Sequence, residues 1–329
     1  MYPLKFNTIF KDKIWGGQKI NTVLGKDFGE LPNCGETWEI SGVEGNVSVV
    51  AEGPLAGQNL QELIRQYQGQ LVGERIYQQY GDRFPLLVKF IDANDDLSIQ
   101  VHPDDALAQE RHNSFGKTEM WYIFQADEGA SLISGFNQPV SREQYLQYFE
   151  EGKLLDILNR EPVQDDDVFF LPAGRVHTIG KGLLLAEIQQ TSDITYRIYD
   201  FDRRDAQGNT RELHVEEALD AIDYQHYDHY KSQYEPRENE PVLLASCPYF
   251  ETFRLDYTQD VRRSYADRDS FTIYVCTEGE AQLQCDGQSY TMKKGDAYLI
   301  PASISEVTLH TTTGFNMLES YVPRSSGNE

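Results

Sequence analysis

Two pairs of polar residues, each two apart, stand close together in this 329-residue chain. Gln100 and His102 lie in Leu97-Ser98-Ile99-Gln100-Val101-His102-Pro103, and Lys117 and Glu119 follow after a polar stretch. On a β-strand, residues i and i+2 face the same side, so each pair projects two polar groups into one space. The flanking runs, Pro85-Leu86-Leu87-Val88 and Trp121-Tyr122-Ile123-Phe124, are apolar. An amide, an imidazole and a carboxylate buried together cost free energy unless something pairs them. A metal ion does so, and a second imidazole arrives in Pro172-Ala173-Gly174-Arg175-Val176-His177. The pattern predicts one metal site made of Gln100, His102, Glu119 and His177. Two His and one Glu suit zinc, or Fe(II) where coordination positions stay open. The remaining histidines, His112, His214, His226, His229 and His310, read as ordinary core or surface residues.

Cations gather around the same stretch. Lys89 lies in the preceding apolar run, where it needs a partner or must snorkel. Lys117 shares the face of Glu119, and Arg197 closes Thr191-Ser192-Asp193-Ile194-Thr195-Tyr196-Arg197. The formal net charge is −24, which disfavours nucleic acid and anionic membranes as partners. Such a chain must meet any anionic substrate, for instance a sugar phosphate, with a local cationic pocket. No run approaches the ~18 apolar residues of a membrane span, and Met1-Tyr2-Pro3-Leu4-Lys5-Phe6 lacks a signal-peptide core. Cys34, Cys247, Cys276 and Cys285 are scattered without a C-x-x-C pair, as in reduced, cytoplasmic proteins. Oligomeric state is left open by the sequence.

The elements that must position these residues are mostly strands. Gly35 to Ser41, Phe84 to Asp92, Ser98 to Val101, Glu119 to Phe124, Val168 to Leu171, Gly182 to Gln190 and Asp193 to Tyr199 have strand character. Glu36 and Trp38 share a face; Trp15 and Trp38 read as core, Glu36 as surface. Leu60, Leu63, Ile64, Tyr67 and Leu71 keep a helical rhythm after Asn59, a suitable cap. Residues 141–159 and 212–222 also read as helices. Residues 103–116 read as an exposed loop and 223–240 as an exposed connector. After residue 240, short strands recur with turns every few residues.

One pattern occurs twice. An apolar strand, a Gly turn, a second apolar strand and Pro-Ala run from Trp121 to His177, and again from Phe271 to Ser305. This resembles the cupin superfamily, a double-sheet jelly roll. The expectation is a mainly β chain of two cupin-type β-sandwich units with a few peripheral helices. Residues 1–240 would form the catalytic unit. Residues 241–329, with Ser305 where the first copy has His177, would form a unit without metal.

Four ordered motifs sharpen the resemblance: Leu97 to Pro103, Gly116-Lys117-Thr118-Glu119-Met120-Trp121-Tyr122, Pro172 to His177, and Ser192 to Arg197. Together with Ile14-Trp15-Gly16-Gly17 and Gly35 to Ser41, they resemble the short bacterial form of the type I, zinc-dependent mannose-6-phosphate isomerases. The chain has no room for the extra helical domain of the larger members. The resemblance implies interconversion of mannose 6-phosphate and fructose 6-phosphate through a cis-enediol. It implies one zinc per chain on Gln100, His102, Glu119 and His177. Catalytic roles fall to Lys117, Asp193 and Arg197, and substrate binding to Lys89, Lys117 and Arg197. Two other classes compete with this reading: a sugar-phosphate sensor without turnover, and an iron-dependent oxygenase.

Overall fold

A computed structural model describes residues 1–205 and 207–324. Its strands form three antiparallel sheets. In chain order the first part carries β1 (Ile9–Lys11), α1 (Lys19–Thr22), β2 (Glu36–Ile40), α2 (Leu60–Tyr67), α3 (Gly69–Val72) and α4 (Glu74–Tyr80). Next come β3 (Leu86–Ala93), β4 (Ile99–Val101), α5 (Asp105–His112), β5 (Glu119–Ala126), β6 (Ser131–Phe136) and α6 (Arg142–Glu150). Then follow β7 (Leu158–Pro162), β8 (Val168–Leu171), β9 (His177–Thr178), β10 (Leu183–Gln190), β11 (Tyr196–Tyr199) and α7 (Val215–Ala221). One sheet runs β1-β2-β3-β10-β5-β8 and the other β11-β4-β9-β6-β7.

These two sheets pack face to face. Ile91, Trp121, Ile123, Leu171 and Leu185 of the first meet Leu97, Leu132 and Ile179 at the second. The alternation of β3 decides which residues look inward. Leu86, Val88 and Phe90 go to the outer core with helices α2 to α4, while Lys89 and Ile91 point between the sheets. The outer face of the second sheet is covered by α6 and α7.

The third sheet carries β12 (Pro241–Ser246), β13 (Glu251–Tyr257), β14 (Val261–Ser264), β15 (Thr272–Cys285), β16 (Gln288–Lys293), β17 (Ala297–Ile300), β18 (Glu306–His310) and β19 (Phe315–Tyr321). The expected unit 241–329 ends in residues 325–329, outside the described residues. The repeat seen in the sequence is a repeat of pairing. Trp121 and Tyr122 of β5 pair with Phe169 and Val168 of β8, and Thr272 to Val275 of β15 pair with Ile300 to Ala297 of β17. The chain is mainly β with curled sheets, as a cupin-type sandwich requires. Among the described residues no helix is long and apolar enough to cross a membrane.

Several elements differ from the sequence reading. Residues 105–112 are a helix, not a loop: Asp104 caps it by accepting from the Leu107 N–H at 2.9 Å. Its apolar stripe is a single buried alanine, Ala108, which leaves no helical period to read. The helix expected over 141–159 stops at Glu150, and Leu158 begins a strand. The connector 223–240 is strapped down rather than free. Tyr230 is buried, and its hydroxyl donates to the Phe136 carbonyl at 2.7 Å. The α2 helix forms as expected, with Asn59 and Glu62 making a reciprocal cap.

Candidate active site

Three neighbouring strands bring the predicted metal residues together. Gln100 on β4 pairs directly with His177 on β9, and Glu119 opens β5 on the facing sheet. The Pro172-Ala173-Gly174 turn sets His177 in place. Gly174 has φ +89, and its N–H donates to the His102 carbonyl at 2.9 Å. A Cβ there would lie 2.9 Å from the Ala221 carbonyl oxygen, so only glycine fits this conformation comfortably.

The nitrogen atoms of His102 and His177 and a Glu119 oxygen lie within 4.8 Å of one another. All three residues are buried. His102 Nδ1 is 2.8 Å from the Ile194 carbonyl, and His177 Nδ1 is 2.8 Å from the Arg175 carbonyl. A carbonyl only accepts, so each Nδ1 carries the proton and each Nε2 turns a lone pair inward. The Glu119 oxygens lie 3.7 Å from His102 Nε2 and 3.4 Å from His177 Nε2. Both oxygens are buried, and neither accepts a well-directed hydrogen bond. Lys117 Nζ sits 3.0 Å from His102 Nε2 and 3.1 Å from Glu119, so a positive charge already stands among the acceptors. Gln100 turns Nε2 toward His177 Nε2 at 3.3 Å; a half-turn of the amide would present its oxygen instead. A buried carboxylate with one oxygen left without a donor, beside two inward imidazole nitrogens, fits a divalent cation. Among the described residues this is the one cluster of three such ligands.

Burial sets the charge states here. It pushes Glu119 up to about 7, with Glu187 adding to the effect and Lys117 opposing it. It pushes His177 down to about 4, with Lys117 reinforcing, and His102 well below the usual imidazole range. Both imidazoles are therefore neutral at pH 7, as metal ligands must be.

Beside the cluster opens a cavity of about 390 Å³, which Gln100 and Lys117 line. It falls within the ~300–1,000 Å³ usual for small-molecule sites. Lys89, Asp193 and Arg197, picked out in the sequence, line it too. So do Lys11, Lys13 and Arg211, which sequence reasoning missed. Each stands in an unremarkable charged stretch, and only the fold turns it inward.

Glu36 corrects the surface reading: it lines the cavity and accepts from Trp38 Nε1 at 2.9 Å. Lys89 finds its partner in Glu187, directly opposite on β10, at 3.1 Å. Glu187 also accepts from Trp121 Nε1 at 2.8 Å. Burial opposes charge on Lys89, but Glu187 and Glu36 outweigh it and raise its pKa. Burial likewise opposes charge on Glu187, and Lys89, Lys117 and the Trp121 N–H overturn it, leaving the carboxylate well below its ordinary range. Glu187 was legible only as one polar residue within a buried strand.

Residues 3–124 match the phosphomannose isomerase type I catalytic domain, and residues 241–317 match the mannose-6-phosphate isomerase cupin domain. The chain is 35% identical to the mannose-6-phosphate isomerase of Streptococcus mutans over 92% of this chain and 93% of that protein. It is 37% identical to a mannose-6-phosphate isomerase of Bacillus subtilis over 93% of this chain and 95% of that one. The crystal structure of the mannose 6-phosphate isomerase from Bacillus subtilis superposes with a TM-score of 0.86 at 33% identity, covering 98% of this chain and 99% of that one. A full-length match at this identity, around a buried His–Glu–His cluster beside a cation-lined cavity, makes the chain an isomerase of the type I phosphomannose isomerase family.

Proposed function

We propose that this chain interconverts mannose 6-phosphate and fructose 6-phosphate, with one zinc ion held by Gln100, His102, Glu119 and His177. The observation that carries the reading is the buried His102–Glu119–His177 cluster beside a cavity rich in Lys and Arg. Zinc, when bound, polarises substrate oxygens and stabilises negative charge developing on them.

The chain's own residues supply the rest. Isomerisation removes the proton from C2 of the open-chain aldose and returns one to C1, while a hydroxyl proton passes from O2 to O1. The cis-enediol lies between. Lys117 Nζ, beside both His102 and Glu119, is the group we assign to carry the proton. Asp193 is exposed on the cavity wall, where it can exchange protons with solvent; we assign it to ring opening. Arg197 and Lys89 hold anionic oxygens of the substrate. We place this chemistry in residues 1–240 and none of it in residues 241–329.

The test is an isomerisation assay on purified protein before chelation, after chelation and after zinc is restored. Activity should vanish and return. Turnover that survives complete metal removal defeats the zinc assignment, and no turnover in any state defeats the reaction.

A further inference from the structure

Across the second sheet the site forms a row. His177 on β9 pairs with Gln100 on β4, and Gln100 pairs with Arg197 on β11, the edge strand. Beyond that edge residues 200–205 and 207–214 precede α7. Phe201 and Asp202 stand at φ 56 and 52, a left-handed conformation that non-glycine residues hold only when their surroundings dictate it. The segment returns to β11 at His214, where the Arg197 N–H donates to His214 Nδ1 at 3.1 Å. It carries Arg211 back to the wall of the cavity that Arg197 also lines.

Asp200, buried at the end of β11, grips Arg211 in a fork. Arg211 Nε donates at 2.7 Å and Nη2 at 2.5 Å. The same carboxylate accepts from Arg203 at 3.1 Å. With two of its nitrogens fixed, Arg211 keeps Nη1 without a hydrogen bond to any described residue. Arg197 is in a similar state. Its Nη1 donates only to the Glu212 carbonyl at 2.8 Å, and its Nε is buried with no partner. Two guanidiniums that repel each other thus line one cavity with donors unspent. Three arginines crowd around Asp200; Glu212 also attracts Arg197, and Asp95 lies 3.6 Å from Arg203. An anionic group in the cavity would take up these donors.

We propose that Arg211 and Arg197 form a two-arginine clamp for the substrate's phosphate, and that Asp200 is the positioning residue that aims Arg211. This rests on the sugar-phosphate reading and names which residues recognise the phosphate. The placement agrees: Arg197 lies one strand from Gln100, and both arginines line the cavity that Gln100 and Lys117 also line. A six-carbon chain with its reacting carbons at one end and its phosphate at the other can meet both groups of residues there. The guanidinium fork matches phosphate geometry in a way that an ammonium does not.

The experiment compares wild type with R211Q, R211K and D200N. It reads KM and kcat for mannose 6-phosphate and, independently, the affinity for inorganic phosphate by calorimetry. R211Q should weaken both KM and phosphate affinity about tenfold or more, with the smaller change in kcat. R211K should recover part of the loss. D200N should shift KM in the same direction while the arginine is still present. If R211Q fails to fold, R211K decides: phosphate affinity equal to wild type overturns the clamp. So does an R211Q variant that loses thermal stability and kcat but binds phosphate as wild type does. Phosphate binding is read whether or not the wild type turns over mannose 6-phosphate, so failure of the clamp and failure of the isomerase reading are distinguishable.

Discussion

At the scale of single residues, the cluster is poised by burial rather than by sequence. Glu119 is held up to about 7 chiefly by desolvation, and His177 down to about 4 by the same cause. Metal can bind only to the ionised carboxylate and the neutral imidazoles. Below about pH 7, binding to the metal-free protein must therefore displace the Glu119 proton, while the histidines are already free of theirs. Zinc affinity should rise about tenfold per pH unit up to about 7 and then level off, with ~1 proton released per zinc below that point. A chelator-competition titration across this range checks it. A two-proton slope, or no slope, would show that the carboxylate is not the titrating ligand. The ligand types were legible in the sequence because a strand period of two leaves a mark. Lys11, Lys13 and Arg211 were not legible, because a cation in a polar segment looks the same whether the chain turns it toward solvent or toward a cavity.

At the scale of elements, register does what residue type alone cannot. Trp38, Lys89, Glu187 and Trp121 form one row across β2, β3, β10 and β5. The indole N–H of Trp121 and the Lys89 ammonium both point at the Glu187 carboxylate, and Lys89 lies 5.2 Å from the Trp38 ring centre. The pair is almost wholly buried, so removing one charge strands the other. Glu187→Leu should cost about 3–5 kcal/mol of stability, and adding Lys89→Met should recover most of it. Urea unfolding of the two single variants and the double variant checks this; additive losses would mean that the pair is not coupled. The sequence read β3 and β10 as buried strands, and flagged Lys89 as needing a partner. It did not reveal which strand would lie opposite, because pairing between residues 89 and 187 is a property of topology. Helix α5 escaped for a different reason: with one buried alanine, its existence depends on the Asp104 cap and its neighbours more than on periodicity.

At the scale of the whole molecule, the repeat in the sequence invites a division into two independent units, and the packing argues against their independence. The outer core of the first sheet is shared with one face of the third, whose other face encloses a core of its own around Tyr274, Leu283 and Met317. Leu4, Leu63, Phe84, Phe90 and Ile188 share one cluster with Phe250, Phe271, Ile273, Leu299 and Leu318. Phe84 and Phe271 ring centres are 4.6 Å apart. Leu4 bonds Leu299 through the backbone in both directions. Polar groups follow the same seam. Arg254 on β13 reaches Asp166 at 3.3 Å, and Asp166 accepts from the Tyr122 hydroxyl at 2.5 Å, one residue from the Trp121 that braces Glu187. Cutting at residue 240 would expose these apolar faces and take Arg254 away from the Tyr122–Asp166 pair. The loss of even one buried Phe costs about 3–5 kcal/mol, against a total stability of about 5–15 kcal/mol. Residues 1–240 alone should therefore lack a cooperative thermal transition and bind a hydrophobic dye, and they should hold zinc more weakly than the full chain does. Calorimetry and dye binding on the two lengths decide it. A cooperatively melting fragment with full zinc affinity would mean that the shared core is dispensable, and that the second unit serves something other than holding the site together.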